Sequence, residues 1–99
     1  MVKLIALYRK PADPAAFDKH YREIHMPLAA KIPGLVKMDV AKVFGSPGGD
    51  PEFYQVAELF FENKAAMFSG LQSPEGAAAA KDVKNFAGEI IHMMFASVE

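Results

Sequence analysis

The sequence from Asp13 to Leu35 reads DPAAFDKHYREIHMPLAAKIPGL, and it places two histidines and a proline inside one amphipathic stretch. Asp13 is a favoured N-cap residue and Pro14 suits the first helical position, while Pro33-Gly34 is typical of a helix stop. Apolar residues recur every three to four positions between these signals, as on one face of a helix. The pattern predicts a helix from Asp13 to about Lys31.

Pro27 disturbs this predicted helix. Proline has no N–H to donate to the carbonyl of Glu23 and its ring crowds that carbonyl, which costs about 3 kcal/mol in a helix interior. We therefore expect a kink or break near His25 and Met26. In a regular α-helix His20 and His25 lie about 140° apart around the axis, so they do not form a zinc pair, and we expect His20 to be a solvated or boundary residue.

The rest of the chain alternates between strand and helix signals. Strand-like runs are Val2 to Tyr8, Leu35 to Phe44, Phe53 to Phe61 and Ile90 to Val98. A helix capped by Asn63 runs to Phe68 and is interrupted at Ser69-Gly70, and a second piece runs from Ser73 to about Ala87. This order predicts one domain over residues 1–99: an α+β, ferredoxin-like βαββαβ fold with an antiparallel four-stranded sheet.

Both faces of the predicted sheet look apolar. Leu4 and Ala6 alternate with Ile5 and Leu7 in the first strand, and the last strand is similarly apolar on both sides. Two helices cover only one face of such a sheet, and large exposed apolar patches are rare on soluble monomers. We therefore expect a symmetric homodimer in which two sheets pack face to face.

The composition excludes several classes of partner. The 99 residues carry a formal net charge of −1, so no excess of positive charge is present for nucleic acid or an anionic membrane. The chain has no cysteine, which excludes disulfides and thiolate chemistry and fits a reducing compartment. No apolar run approaches the ~18 residues of a membrane span. We expect a soluble, cytoplasmic protein.

His25 is the first candidate for chemistry. It flanks the apolar face of the predicted helix, beside the irregular backbone expected at Pro27, and an imidazole with a near-neutral pKa takes or gives a proton readily. The alternative is a structural role, in which His25 hydrogen-bonds a carbonyl freed by the kink. Tyr8 is the second catalytic candidate, as a phenol that orients or polarises a substrate.

Five other residues are candidate ligand contacts. His92 either lines a cavity or is hydrogen-bonded at the dimer seam. Glu58, if buried, needs a partner or a raised pKa and becomes a candidate base, whereas an edge-strand or interface salt bridge is the alternative. Tyr21, Tyr54 and Met94 either shape an apolar ligand pocket or belong to the core and its edge.

No cofactor motif is present. The Gly45 to Gly49 loop lies between strands and lacks the Gly-Lys-Ser/Thr of a phosphate loop, and no strand–GxGxxG–helix unit indicates dinucleotide binding. A Ser-His-Asp hydrolase motif is also missing. We therefore expect neither a bound cofactor nor a metal.

Three stretches together resemble the EthD-like family of the dimeric α/β-barrel superfamily. They are Tyr21 to Leu28, Ile32 to Leu35, and Ser73 to Gly76 leading to Asp82 to Phe86. The resemblance spans nearly the whole chain and implies a ferredoxin-like protomer, a barrel formed across a homodimer, and a cavity between sheet and helices. The family is named after a protein associated with ether degradation, and its members are often labelled reductases. Similar domains include lactone isomerases and cofactor-free monooxygenases.

The expected function is therefore binding of a small apolar oxygenated compound, with acid–base isomerisation or cofactor-free oxidation at His25. The alternative is a ligand-binding or structural homodimer without turnover. A third possibility is haem binding through His25 or His92.

Overall fold

The computed structural model describes all residues from 1 to 99. Four strands form one antiparallel sheet in the order β2-β3-β1-β4, and helical segments cover one of its faces. The strands are β1 (Val2–Tyr8), β2 (Leu35–Lys42), β3 (Gln55–Phe61) and β4 (Ile91–Ser97). The helices are α1 (Pro14–His20), α2 (Met26–Ala30), α3 (Lys64–Leu71) and α4 (Pro74–Ala87), with a π-helical turn at Tyr21–His25 joining α1 to α2. The ferredoxin-like α+β fold expected from the sequence is confirmed.

The helix starts follow the sequence signals. The side chains of Asp13, Asn63 and Ser73 each accept a hydrogen bond from the backbone N–H three residues later, at 3.1, 2.8 and 3.0 Å. These bonds satisfy N–H groups that the first helical turn leaves free. Pro14 and Pro74 occupy the first helical positions, where no N–H is needed. The three predicted N-caps are confirmed.

The break expected near His25 and Met26 is present, and it takes the form of the π-helical turn. The N–H of Met26 donates to the carbonyl of Tyr21, five residues earlier, instead of four. A π turn contains more residues than an α turn, so residues five apart return to the same side of the helix. The predicted 140° separation of His20 and His25 is therefore wrong.

The two faces of the sheet differ in cover. The helix-side face carries Leu4, Ala6 and Tyr8 of β1, which are buried under the helices together with alternate residues of β3. The opposite face, called the open face here, carries Ile5 and Leu7, which are half-buried in the single chain. The core therefore lies on one side of the sheet.

Some predicted boundaries are wrong. β2 ends at Lys42 and β3 begins at Gln55, so both strands are two residues shorter than expected. Ser69-Gly70 does not interrupt its helix, because α3 runs through to Leu71. A Cβ at Gly70 would lie 2.3 Å from the carbonyl oxygen of Pro33, so this glycine permits a close approach of two backbones. No helix has the length and apolar character needed to cross a membrane.

Candidate functional site

A cavity of about 550 Å³ lies between the helix-side face of the sheet and the helices. β1, β3 and β4 form its floor, and the π turn, α2 and α4 form its walls. Sixteen of its twenty lining residues are hydrophobic, which suits an apolar ligand. Met93 and Phe95 of β4 line it and are more than half exposed, so the cavity opens along this edge of the sheet.

Small residues of α4 make room for this cavity. Gly76, Ala79 and Ala80 all line it, and a Cβ at Gly76 would lie 2.4 Å from the carbonyl oxygens of Gly70 and Leu71. The glycine lets α4 approach the end of α3 closely, and the alanines leave space between α4 and the sheet.

Asp82 of α4 joins the two histidines. Its Oδ2 lies 3.0 Å from Nδ1 of His25, and its Oδ1 lies 2.9 Å from Nε2 of His20. An ionised carboxylate only accepts hydrogen bonds, so both histidine nitrogens donate. The π turn makes this possible because it brings two histidines five residues apart to one carboxylate. We call these three residues the His20–Asp82–His25 cluster.

Phe86 supports the cluster from the same helix. It lies one turn after Asp82, and its ring centroid is 4.3 Å from that of His20 and 5.4 Å from that of His25. Asp82 and Phe86 thus form a platform that fixes both imidazole rings.

His25 has the geometry of a general base. Donation from Nδ1 to Asp82 leaves the lone pair on Nε2, and Nε2 has no hydrogen-bond partner in the chain. This Nε2 atom is not fully buried, and His25 lines the cavity. Burial lowers the pKa of His25 below its usual value, and the nearby Asp82 opposes part of that change. Nε2 is therefore an unprotonated acceptor at neutral pH.

Tyr8 and Tyr21 place two phenols beside His25. Their rings meet edge to face at 5.6 Å between centroids, and the ring of Tyr21 lies 5.2 Å from that of His25. Burial raises the pKa of Tyr21 to about 12, and burial also raises the pKa of Tyr8, further increased by Tyr21. Both phenols therefore stay protonated and can donate hydrogen bonds to a ligand.

The structure divides the residues singled out from the sequence into two groups. Those lining the cavity are His25, Tyr8 and Tyr21, together with Met94 at its mouth; Met94 pairs with Ile5, so its position in the strand belongs to the open face. Those outside it are His20, Tyr54, Glu58 and His92.

The candidate residues that do not line the cavity make contacts elsewhere in the chain. The hydroxyl of Tyr54 donates to the carboxylate of Asp18, at 2.9 and 3.1 Å to its two oxygens. Glu58 accepts from Lys3 at 2.6 Å on the open face. His92 pairs with Leu7 in the sheet, which places it on the open face, and its ring packs edge to face on Phe53.

Asp82 was not singled out as a site residue from the sequence, although a signal exists. It falls among Ala79, Val83 and Phe86 on the side of α4 that faces the sheet, where a carboxylate needs a partner. Nothing local says that the partners are histidines 57 and 62 residues away. No group of three histidine, cysteine, aspartate or glutamate side chains in the chain has an arrangement that could hold a metal ion.

Comparison with known proteins identifies the family. The model of the EthD domain matches residues 9–89. The chain belongs to the EthD family. An uncharacterized 11.0 kDa protein in the thcB-thcC intergenic region of Rhodococcus erythropolis is 41% identical over 99 residues, which are all of this chain and 96% of the relative. A crystal structure of an EthD family protein from Bacillus halodurans is also 41% identical, with a TM-score of 0.97 over 100% of this chain and 99% of that one.

More distant structures share the fold alone. SnoaB, a cofactor-independent oxygenase from Streptomyces nogalater, is 15% identical, with a TM-score of 0.73 over 99% of this EthD chain and 92% of SnoaB. A dimeric ferredoxin-like protein of unknown function from Bacteroides fragilis is 22% identical, with a TM-score of 0.68 over 98% and 95% of the two chains. Dimeric ferredoxin-like proteins are thus among the structural neighbours of this family member.

Proposed function

We propose that this EthD-family protein binds a small, apolar, oxygenated organic molecule in its cavity and that His25 moves a proton on that molecule. The observation that carries the proposal is the geometry of His25: Nδ1 is held by Asp82, while Nε2 is unpaired in the wall of an apolar cavity. An imidazole held in this way is a preorganised base.

The proposed step is removal of an acidic C–H or O–H proton next to a carbonyl group. Nε2 of His25 takes the proton, and the resulting imidazolium is stabilised by the carboxylate of Asp82. The electron pair left on the substrate moves to its oxygen, to which the phenols of Tyr8 or Tyr21 donate a hydrogen bond. Returning the proton from His25 to another atom of the substrate completes an isomerisation without any cofactor.

The same first step serves an oxidation. The substrate carbanion gives one electron to dioxygen, the two radicals combine in a new C–O bond, and the resulting hydroperoxide loses water to leave a carbonyl group. A cofactor-independent oxygenase is one of the proteins that share this fold. Proton removal by His25 is the step common to both reactions. The support for this step is the unpaired Nε2 of His25, whose Nδ1 is held by Asp82.

We also propose that the protein is a homodimer whose sheets meet through their open faces. Ile5 and Leu7 are half-buried there, and Met94, which pairs with Ile5 in the sheet, is 45% exposed. A second copy of this chain would cover these apolar side chains. Light scattering at micromolar concentration should give twice the mass of one chain.

The proton-transfer proposal is tested without knowledge of the final product. A thermal-shift screen of lactones, quinones and phenols identifies ligands that bind the folded state and raise its melting temperature. Each ligand is then incubated with the protein in D₂O, and exchange of its acidic protons for deuterium is followed by NMR. We expect His25→Gln to slow this exchange by roughly 10²- to 10⁴-fold, the usual contribution of a general base.

His92→Gln is the matched control because it changes the same residue type on the open face. Exchange at the wild-type rate in His25→Gln would refute the assignment of the base. Stabilising ligands that never exchange would instead favour the alternative, a binding homodimer without turnover.

A further inference from the structure

We propose that His20 acts on His25 through their shared carboxylate, as a positioning residue that holds Asp82 in place and takes up part of its negative charge. This inference rests on the function proposed above, because it concerns the group that acts as base. It assigns a role to a histidine that does not line the cavity.

The geometry links the cavity to the surface. The side chain of His25 is 9% exposed and that of Asp82 is 13% exposed, whereas the side chain of His20 is 33% exposed. The three groups thus form a line that begins in the cavity wall and ends at solvent. The separate oxygens of Asp82 each accept one hydrogen bond, so the carboxylate cannot turn without losing one of them.

The contacts of His20 restrict its own position. Its ring packs on Phe86 at 4.3 Å between centroids, and it lies at the end of α1, directly before the π turn. A regular α-helix would direct His20 away from His25, as the sequence alone predicts. The wider π turn is the reason that both histidines reach one carboxylate.

The electrostatic effect has a defined direction. A carboxylate that already accepts a hydrogen bond from His20 stabilises the imidazolium form of His25 less strongly, and a protonated His20 strengthens this effect by direct repulsion. Both actions lower the pKa of His25, in the same direction as its burial. The other titratable groups around His25 are the protonated phenols of Tyr8 and Tyr21 and the amino group of Lys84, which lines the same cavity.

Two variants of His20 distinguish the effect of its hydrogen bond to Asp82 from the effect of its aromatic ring. His20→Phe keeps an aromatic ring on Phe86 but removes the donor, and His20→Gln keeps a donor but cannot become charged. The titration of the His25 imidazole is followed by NMR in the free protein, with no substrate. We expect its midpoint to move to higher pH in His20→Phe and to move less in His20→Gln.

The same variants are then compared in the deuterium-exchange reaction. We expect the acid limb of the pH–rate profile to move to higher pH in His20→Phe, in parallel with the titration. On the plateau we expect a rate about tenfold below wild type, because without the bond from His20 the carboxylate of Asp82 can turn and holds His25 less precisely. This loss of positioning is expected to outweigh the gain from a more basic imidazole. His20→Gln should recover most of the plateau rate, which a merely structural role of the ring would not explain.

The outcomes distinguish this inference from the proposed function. An unchanged His25 midpoint in a folded His20→Phe protein overturns the inference and leaves the assignment of His25 as base intact. A shifted midpoint in a protein that exchanges no ligand proton supports the coupling and refutes the proposed function. His92→Phe, a ring substitution on the open face, should leave the midpoint where it is in wild type.

Discussion

The two sides of the sheet both carry tyrosine, histidine or carboxylate side chains, but they differ in the burial and in the partners of these groups. On the helix-side face the polar groups of Tyr8 and His25 are buried around a cavity, and Asp82 fixes the imidazole. On the open face Glu58 is neutralised by Lys3, and both side chains remain about a quarter exposed. A histidine or carboxylate in this chain is therefore a candidate for chemistry only if its strand or helix directs it to the helix side.

Adjacent phenylalanines give the largest expected contrast in stability. Phe61 is 0% exposed in the core on the helix-side face, whereas Phe60 is 7% exposed on the open face, where its ring lies between Lys3 and Lys37. We expect Phe61→Ala to reduce the free energy of unfolding by about 3–5 kcal/mol, because it leaves a cavity in the core. Urea unfolding at one protein concentration measures it. Phe60→Ala should cost less, because Phe60 lies outside the core cluster and is flanked by lysine side chains. An equal loss in both variants would indicate that the open face is packed as tightly as the core, as in a close sheet-to-sheet homodimer.

The next contrast is in activity, between the carboxylates of Asp82 on the helix side and Glu58 on the open face. We expect Asp82→Asn to reduce the rate of proton exchange by about 10- to 100-fold, since a hydrogen bond to a charged group contributes roughly 1.5–3 kcal/mol. The asparagine amide no longer balances the imidazolium charge on His25. Glu58→Gln is the matched substitution on the open face, and it should leave the exchange rate unchanged. A similar loss in both variants would indicate a general effect on folding or assembly.

The pH dependence of stability gives a smaller effect. Burial lowers the pKa of His25 in the folded chain below the 6.5 of an unperturbed histidine. Between these two values the unfolded chain binds more protons, so the free energy of unfolding falls as the pH drops from 6.5 towards the lowered pKa. Above pH 6.5 His25 is neutral in both the folded and the unfolded chain, so it no longer lowers the free energy of unfolding. Urea unfolding between pH 5 and 8 should show a weaker dependence in His25→Gln than in wild type, and parallel curves would argue against it.

The smallest effect is expected for the ion pair on the open face. Lys3 and Glu58 are partly exposed, so Glu58→Gln should change the free energy of unfolding by only about 0–1 kcal/mol. The measurement is again urea unfolding. A loss of several kcal/mol would show that the pair is fully buried in the assembled protein and would favour a tighter sheet-to-sheet contact than the single chain indicates.

Much of the fold could be predicted because its signals are local. The caps at Asp13, Asn63 and Ser73 act within one helical turn, and β1 has the predicted boundaries because its apolar residues run without a turn signal. The strand ends around the loop from Val43 to Tyr54 were misplaced, because apolar residues continue there beyond the last sheet pairing.

The site was only partly predictable. The sequence indicates His25, Tyr8 and Tyr21 as candidates because an imidazole beside a disturbed helix and amphipathic phenols are recognisable, and all three line the cavity. His92 satisfied a similar description but lies on the open face, since the alternation of a strand does not say which side the helices will cover.

The sequence by itself determined the order of the elements, their caps and the disturbance before Pro27, because each depends on interactions between residues close in the chain. Only the tertiary structure decided that this disturbance is a π turn and that His20 and His25 share the carboxylate of Asp82. Those hydrogen bonds join residues 57 and 62 positions apart, and such contacts form only after α4 packs against the π turn. Packing therefore created the candidate site from residues that the local sequence leaves apart.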